Sequence, residues 1–241
     1  MASAYRVLTG ETCILANEGK EKKNMAKKTE ETAIAIKPLE IKLVPITIVG
    51  DTPLVVHAWS EKAKRMMLEA QMKTTKTKAK ESRKPIEEFI NSMYWLTDIP
   101  EAEEDAFVKA VKKGAKWGFP VGAIKQAANS AAYRLGWVKN QMELRGAYFL
   151  KTEFGDMAQI EGDVPVMRED MVRIGMGSAD LRYRAEYSNW KMEMVIQYNA
   201  SGNLTIEQII NCINAGGYAV GIGEWRPEKD GDFGRFHVEI K

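Results

Sequence analysis

Met192-Glu193-Met194-Val195-Ile196-Gln197-Tyr198, followed by Thr205-Ile206-Glu207-Gln208-Ile209-Ile210, holds the reading that decides the fold. The first run largely alternates apolar with polar residues, which suits a half-buried strand. Thr205 with Gln208 three residues later predicts a capping box at a helix start. Ile206, Ile209, Ile210 and Ile213 then form an apolar stripe, and Gly216-Gly217 reads as the helix end. Two last strands, 218–222 and 233–240, are expected to flank a glycine-rich connection. A helix followed by a hairpin would supply one edge of a sheet.

Upstream, Glu40-Ile41-Lys42-Leu43-Val44-Pro45-Ile46-Thr47-Ile48-Val49 is rich in β-branched residues and ends at the turn signal Gly50-Asp51. Pro45 lacks a backbone donor, so this strand is expected at an edge or with a bulge. Thr52 to His57 continues extended. Ala63, Met66, Met67 and Ala70 then fall on one face of a helix. Pro85 opens a second helix, and 98–113 predicts a third with acids first and lysines last. Val121, Ile124, Ala127, Ala128, Ala131 and Leu135 mark a small-residue helix suited to close packing on a sheet. Strands follow at 147–153, 164–167 and 171–174, and no internal repeat is visible. Strand, helices, strands, helix, strand with antiparallel-type patterning reads as α+β: an open sheet with helices on one face.

The 241 residues, 45% hydrophobic and 28% charged, are enough to bury a core and exclude a wholly disordered chain. No apolar run approaches the ~18 residues of a membrane-spanning helix, and nothing resembles a secretory signal. A soluble, cytoplasmic protein is expected, with no membrane partner. Two cysteines and two histidines argue against a disulfide framework or a structural zinc site, so no metal and no cofactor is expected. Residues 1–33 read as a solvated tail, with a single domain over 34–241 carrying insertions near 60–115 and 165–190. Lys20-Glu21-Lys22-Lys23-Asn24 before Met25 is what a translated purine-rich ribosome-binding site would give. On that reading Met25 is the natural start, residues 1–24 are leader, and the gene is bacterial or from a phage.

The chemistry concentrates in Ala219-Val220-Gly221-Ile222-Gly223-Glu224-Trp225-Arg226-Pro227 and Gly231-Asp232-Phe233-Gly234-Arg235-Phe236. Glycines at 221 and 223 allow close backbone approach and expose N–H groups that can cradle phosphate, with Arg226 and Arg235 adding charge. The bland alternative is a hairpin whose glycines serve turn geometry alone.

Apolar-Gly-apolar-Gly, a polar insert, then Gly-x-Phe-Gly-Arg-Phe resembles the glycine-rich loop of the RAMP superfamily, the repeat-associated RNA-binding proteins of CRISPR systems. Gly118-Phe119-Pro120-Val121-Gly122-Ala123-Ile124-Lys125-Gln126-Ala127 is similar to a helix start in CRISPR effector backbone subunits. The two segments cover a minor part of the chain, and its N-terminal half aligns with nothing in the family. The resemblance implies an RRM/ferredoxin-like antiparallel βαββαβ core with insertions. It also implies that Lys125, Gly221, Gly223, Arg226 and Arg235 lie near a bound strand. A phage-borne relative outside any CRISPR locus fits equally.

Residues 60–84 carry nine Lys or Arg against three Glu, including Lys73, Lys76, Lys78 and Lys80. They suit either a phosphate-neutralising arm or a solvated helix face. Arg182, Tyr183 and Arg184 interleave cations with an aromatic, as single-strand binders do, although Glu169, Asp170, Asp180 and Glu186 offer internal ion pairs instead. His57 is the only credible general base, and a lone strand histidine is more often structural. No Ser-His-Asp order, Walker loop or HExxH appears. The reading is a non-catalytic, sequence-tolerant binder of single-stranded RNA or DNA that assembles head to tail along the strand. Its alternatives are a metal-independent endoribonuclease using His57, and a phage interaction protein directed at a host defence or replication protein.

Overall fold

In a computed structural model, which describes residues 38–59, 61–72, 82–174 and 178–240, the protein is a mixed α+β fold. The central strands are β1 (Ile41–Gly50), β5 (Tyr148–Lys151), β9 (Trp190–Asn199) and β10 (Phe236–Ile240). β1 pairs antiparallel with β10 on one side and β9 on the other, and β5 pairs antiparallel with β9. β6 (Met157–Gly162) joins β9 through its last two residues. β4 (Trp117–Pro120) and β3 (Tyr94–Trp95) then extend the sheet beyond β6, giving seven strands. A second, three-stranded sheet has the order β2 (Leu54–Val56), β8 (Ser178–Tyr187), β7 (Val166–Ile174).

The helices are α1 (Glu61–Gln71), α2 (Pro85–Asn91), α3 (Glu104–Lys112), α4 (Val121–Arg134), α5 (Met142–Arg145) and α6 (Ile206–Ala219). α4 and α6 lie against each other on one face of the large sheet. That face buries Ile46, Ile48, Met192, Met194, Ile196, Tyr148 and Phe236 under Ile124, Ala128, Ile209 and Ile213. Each fully buried large side chain contributes about 1.5–3 kcal/mol, so this layer is a major source of the fold's stability. The capping box forms as expected: the Gln208 amide donates to Thr205 Oγ1 at 3.3 Å, and the Thr205 amide donates to Gln208 Oε1 at 3.0 Å.

Several sequence expectations need correction. Gly216-Gly217 does not end α6, which runs to Ala219, so the strand expected at 218–222 is absent. The two glycines allow close contact instead. A Cβ on Gly216 would stand 2.6 Å from the Ala128 amide nitrogen, and one on Gly217 would meet the Phe236 carbonyl. The alanines of α4 therefore meet a neighbouring helix as well as the sheet. β1 is an interior strand, yet β10 reaches only to Ile46, so Pro45 falls where one side of β1 has no partner from β10. The two strands expected at 164–167 and 171–174 are one, β7. The third helix starts at Glu104 rather than 98. The methionine stripe of α1 is uncovered, with Met66 60% and Met67 45% exposed. β3, β4 and β6 carry no alternation long enough to announce them. Among the described residues, no helix is long and apolar enough to cross a membrane.

Candidate functional site

The glycine-rich segment folds into a compact loop pinned to the chain around β2. Gly221 donates to Gly216 O at 2.8 Å, Ile222 to Gly234 O at 3.0 Å, and Glu224 to Val55 O at 2.8 Å. These amides are engaged inside the fold, which removes them from a phosphate cradle. Gly223 has φ +77°, and a Cβ there would collide with the Val55 carbonyl. Turn geometry and close packing account for the glycines.

The cations proposed around the loop are also held. Arg226 donates to Glu228 at 2.8 and 3.1 Å and to Gly223 O at 3.0 Å. Arg134 reaches the other Glu228 oxygen at 2.5 Å. The hydrogen bond from Arg226, aided by the charges of both arginines, keeps the Glu228 carboxyl below its ordinary value. The Arg235 guanidinium lies 5.3 Å from the centre of the exposed Tyr218 ring, with its Nε buried and unpartnered. Lys125 is on the other side of α4, beside β5. Its ammonium donates to Arg145 O and Tyr148 O at 2.7 Å each and lies over the rings of Phe149 and Tyr148. Burial lowers its pKa.

The arginines of β7 and β8 form an internal network, so the ion-pair alternative raised by the sequence is what the geometry contains. Arg184 is buried and pairs with Asp170 at 3.1 Å and Glu224 at 3.5 Å. Arg168 pairs with Asp170 and Glu186 at 2.7 Å each and lies 4.5 Å from the Phe233 ring centre. Arg182 pairs with Asp180 at 2.9 Å, and Arg83 also binds that carboxylate. Burial alone would raise the Asp170 carboxyl, but hydrogen bonds from Arg168, Trp225 and Arg184 overcome it and hold the group low. Tyr183 lies opposite Glu169 across the hairpin. The network locks the small sheet to the glycine-rich loop through Glu224. Lys73, Lys76, Lys78 and Lys80 lie outside the described residues.

Beside a cleft of about 450 Å³ bordered by Lys125, Asn129 and Arg145, two further features are open to a ligand among the described residues. One is a cleft of about 210 Å³ where the end of β2, α4 and the glycine-rich loop meet. His57, Tyr94, Gln126, Ser130 and Glu224 line it. The Nδ1 of His57 is buried without a hydrogen-bond partner. Burial, reinforced by the Arg184 charge, lowers the His57 pKa, so the imidazole is neutral at physiological pH.

The other is the helix-free face of the large sheet. Leu43, Gln197 and Phe149 stand in register across β1, β9 and β5, and Pro45, Val195 and Lys151 form the next row. Leu43 is 61% and Phe149 53% exposed. The sequence singles out His57 but not its companions. Gln126 and Ser130 share a helix face at i, i+4 spacing, a signal present in the chain but without meaning until His57 is brought to that face. Phe149 was legible only as a strand residue.

Among the described residues, no cluster of three His, Cys, Asp or Glu could hold a metal ion. Comparison of the chain with protein-family models and with curated proteins found no match.

Proposed function

We propose that the protein binds single-stranded nucleic acid across the open face of its large sheet, without cutting it, and assembles along the strand. One observation carries this reading: exposed Leu43 and Phe149 flank half-buried Gln197 in one row beside exposed Lys151, on the face opposite α4 and α6. An aromatic ring offers a stacking platform to any base, and lysines beside it attract the backbone. The strand order β10-β1-β9-β5, with α4 following β1 and α6 linking β9 to β10, supports kinship with the RRM-like core of the RAMP superfamily. A bacterial or phage-infected cytoplasm is the setting this implies. The long outer strand β7 and the edge strand β10 are different surfaces, which suits head-to-tail contacts between copies.

Fluorescence anisotropy with matched RNA and DNA oligonucleotides tests the reading. Affinity that falls linearly on a log–log salt plot is expected, with bound mass rising stepwise as the oligonucleotide lengthens. No binding to either polymer overturns it.

Catalysis at His57 has one observation in its favour, a neutral imidazole in a cleft, where it could accept a ribose hydroxyl proton. The lining weighs against it. Its one lining cation, Arg226, is already held by Glu228 and the Gly223 carbonyl, which leaves no free cation in the lining to hold a scissile phosphate. Labelled RNA that stays intact without metal separates binder from nuclease. A protein partner recovered from cells without nucleic acid would support the interaction-module alternative.

A further inference from the structure

We propose that the cleft around His57 takes one unstacked nucleobase, with preference for a base carrying an exocyclic amino group. The proposal deepens the reading above, since the base would arrive on a strand bound to the protein. Four features of the cleft lead to it.

The first is charge. Its ionised groups are Glu224, Arg226 and Glu228, and the arginine is neutralised by Glu228. With His57 neutral, nothing in the lining favours a phosphate over a neutral ring. The second is shape. About 210 Å³, roughly seven times the ~30 Å³ share of a water molecule, holds a single ring system and not a stretch of chain. Tyr94 and Phe119, packed edge to face with centroids 6.1 Å apart, supply an aromatic wall.

The third is hydrogen-bonding capacity. Gln126 and Ser130 present donors and acceptors from one face of α4, and Glu224 is an acceptor suited to the amino group of cytosine or adenine. The fourth is the buried Nδ1 of His57 without a partner. A buried polar atom left unpaired is costly, and a base edge in the cleft would satisfy it. The glycine-rich loop then has a function different from a phosphate cradle. Its tight turns bring the Gly221 to Glu224 backbone up to β2, forming one wall of the cleft.

The test uses the full chain, labelled with ¹⁵N, titrated separately with cytidine, adenosine, uridine and inorganic phosphate. Cytidine or adenosine should shift the His57 imidazole nitrogens and the Gly221 and Gly223 amides, with uridine at least about five-fold weaker. Phosphate should leave them unmoved. Gln126→Ala, an exposed position, should weaken cytidine binding about 2- to 10-fold, the effect of one hydrogen bond. Glu224→Gln should abolish the preference over uridine.

Absence of nucleoside shifts in the wild-type protein overturns the proposal, as does phosphate producing the same shifts. Uridine binding as well as cytidine overturns the amino-group preference. An oligonucleotide that binds while nucleosides do not would sink the pocket and leave the sheet-face reading standing. Nucleoside shifts without oligonucleotide binding would do the reverse.

Discussion

The Lys125 ammonium lies 4.4 Å from the centre of the Phe149 ring while donating to the carbonyls of Arg145 and Tyr148. One cation thus joins α4 to the chain entering β5 and steadies the aromatic ring at the margin of the open sheet face. A lysine used in this way braces a surface, and its charge is not available as an independent phosphate contact. Lys125→Met should therefore lower the free energy of unfolding measured in urea by about 1–3 kcal/mol, for the loss of two charge-assisted hydrogen bonds. It should leave the log–log salt slope of oligonucleotide binding unchanged. A slope flattened by ~0.7 would show a direct phosphate contact instead.

Phe149→Ala should weaken oligonucleotide binding by about 1–3 kcal/mol, the worth of stacking one base on an aromatic side chain. Lys151→Ala should weaken it less and flatten the salt slope by ~0.7. Lys151 is exposed, so its replacement should hardly move the unfolding midpoint, whereas Phe149→Ala also removes the contact with the Lys125 ammonium and should lower it slightly. Unchanged anisotropy titrations in both variants would clear the sheet face of any role.

His57 gives stability a pH dependence whose sign follows from its depressed pKa. The unfolded chain binds a proton at His57 before the native protein does, so stability is fully present above the ordinary imidazole value of about 6.5. It is lost as pH falls from there toward the lower native value. Urea unfolding at a series of pH values should show this decline in the wild type and a shallower one in His57→Gln. Equal slopes would mean that burial does not perturb His57.

Gly223→Ala should destabilise the protein by about 1–3 kcal/mol, because the position has φ +77° and a Cβ would press on the Val55 carbonyl. Chemical denaturation measures the loss.

Gly216→Ala should cost a similar amount for a different reason. Its backbone is helical, but α4 passes so close that the added methyl group meets the Ala127–Ala128 peptide. A compensating gain in helix propensity is small beside that overlap. A variant as stable as wild type would show that α4 and α6 can separate without loss.

Local and periodic information was enough for the α+β class, β1, β9, α4 and the capping box of α6. Alternation, apolar stripes and cap spacing depend on neighbours within a few residues, and those neighbours are written in order along the chain. The end of α6 was misread for the same reason. Gly216-Gly217 has the local form of a helix stop, but only the crossing of α4 and the approach of Phe236 reveal that the glycines remove side-chain bulk. The arginines of β7 and β8 look like a basic surface until strand pairing sets Asp170 beside Arg168 and Arg184. The cleft is the plainest case. His57, Tyr94, Glu224 and the Gln126–Ser130 face of α4 are far apart in sequence, and long-range packing alone brings them to one small volume, because burial and hydrogen bonding act through space and leave no trace in the chain of which segments meet.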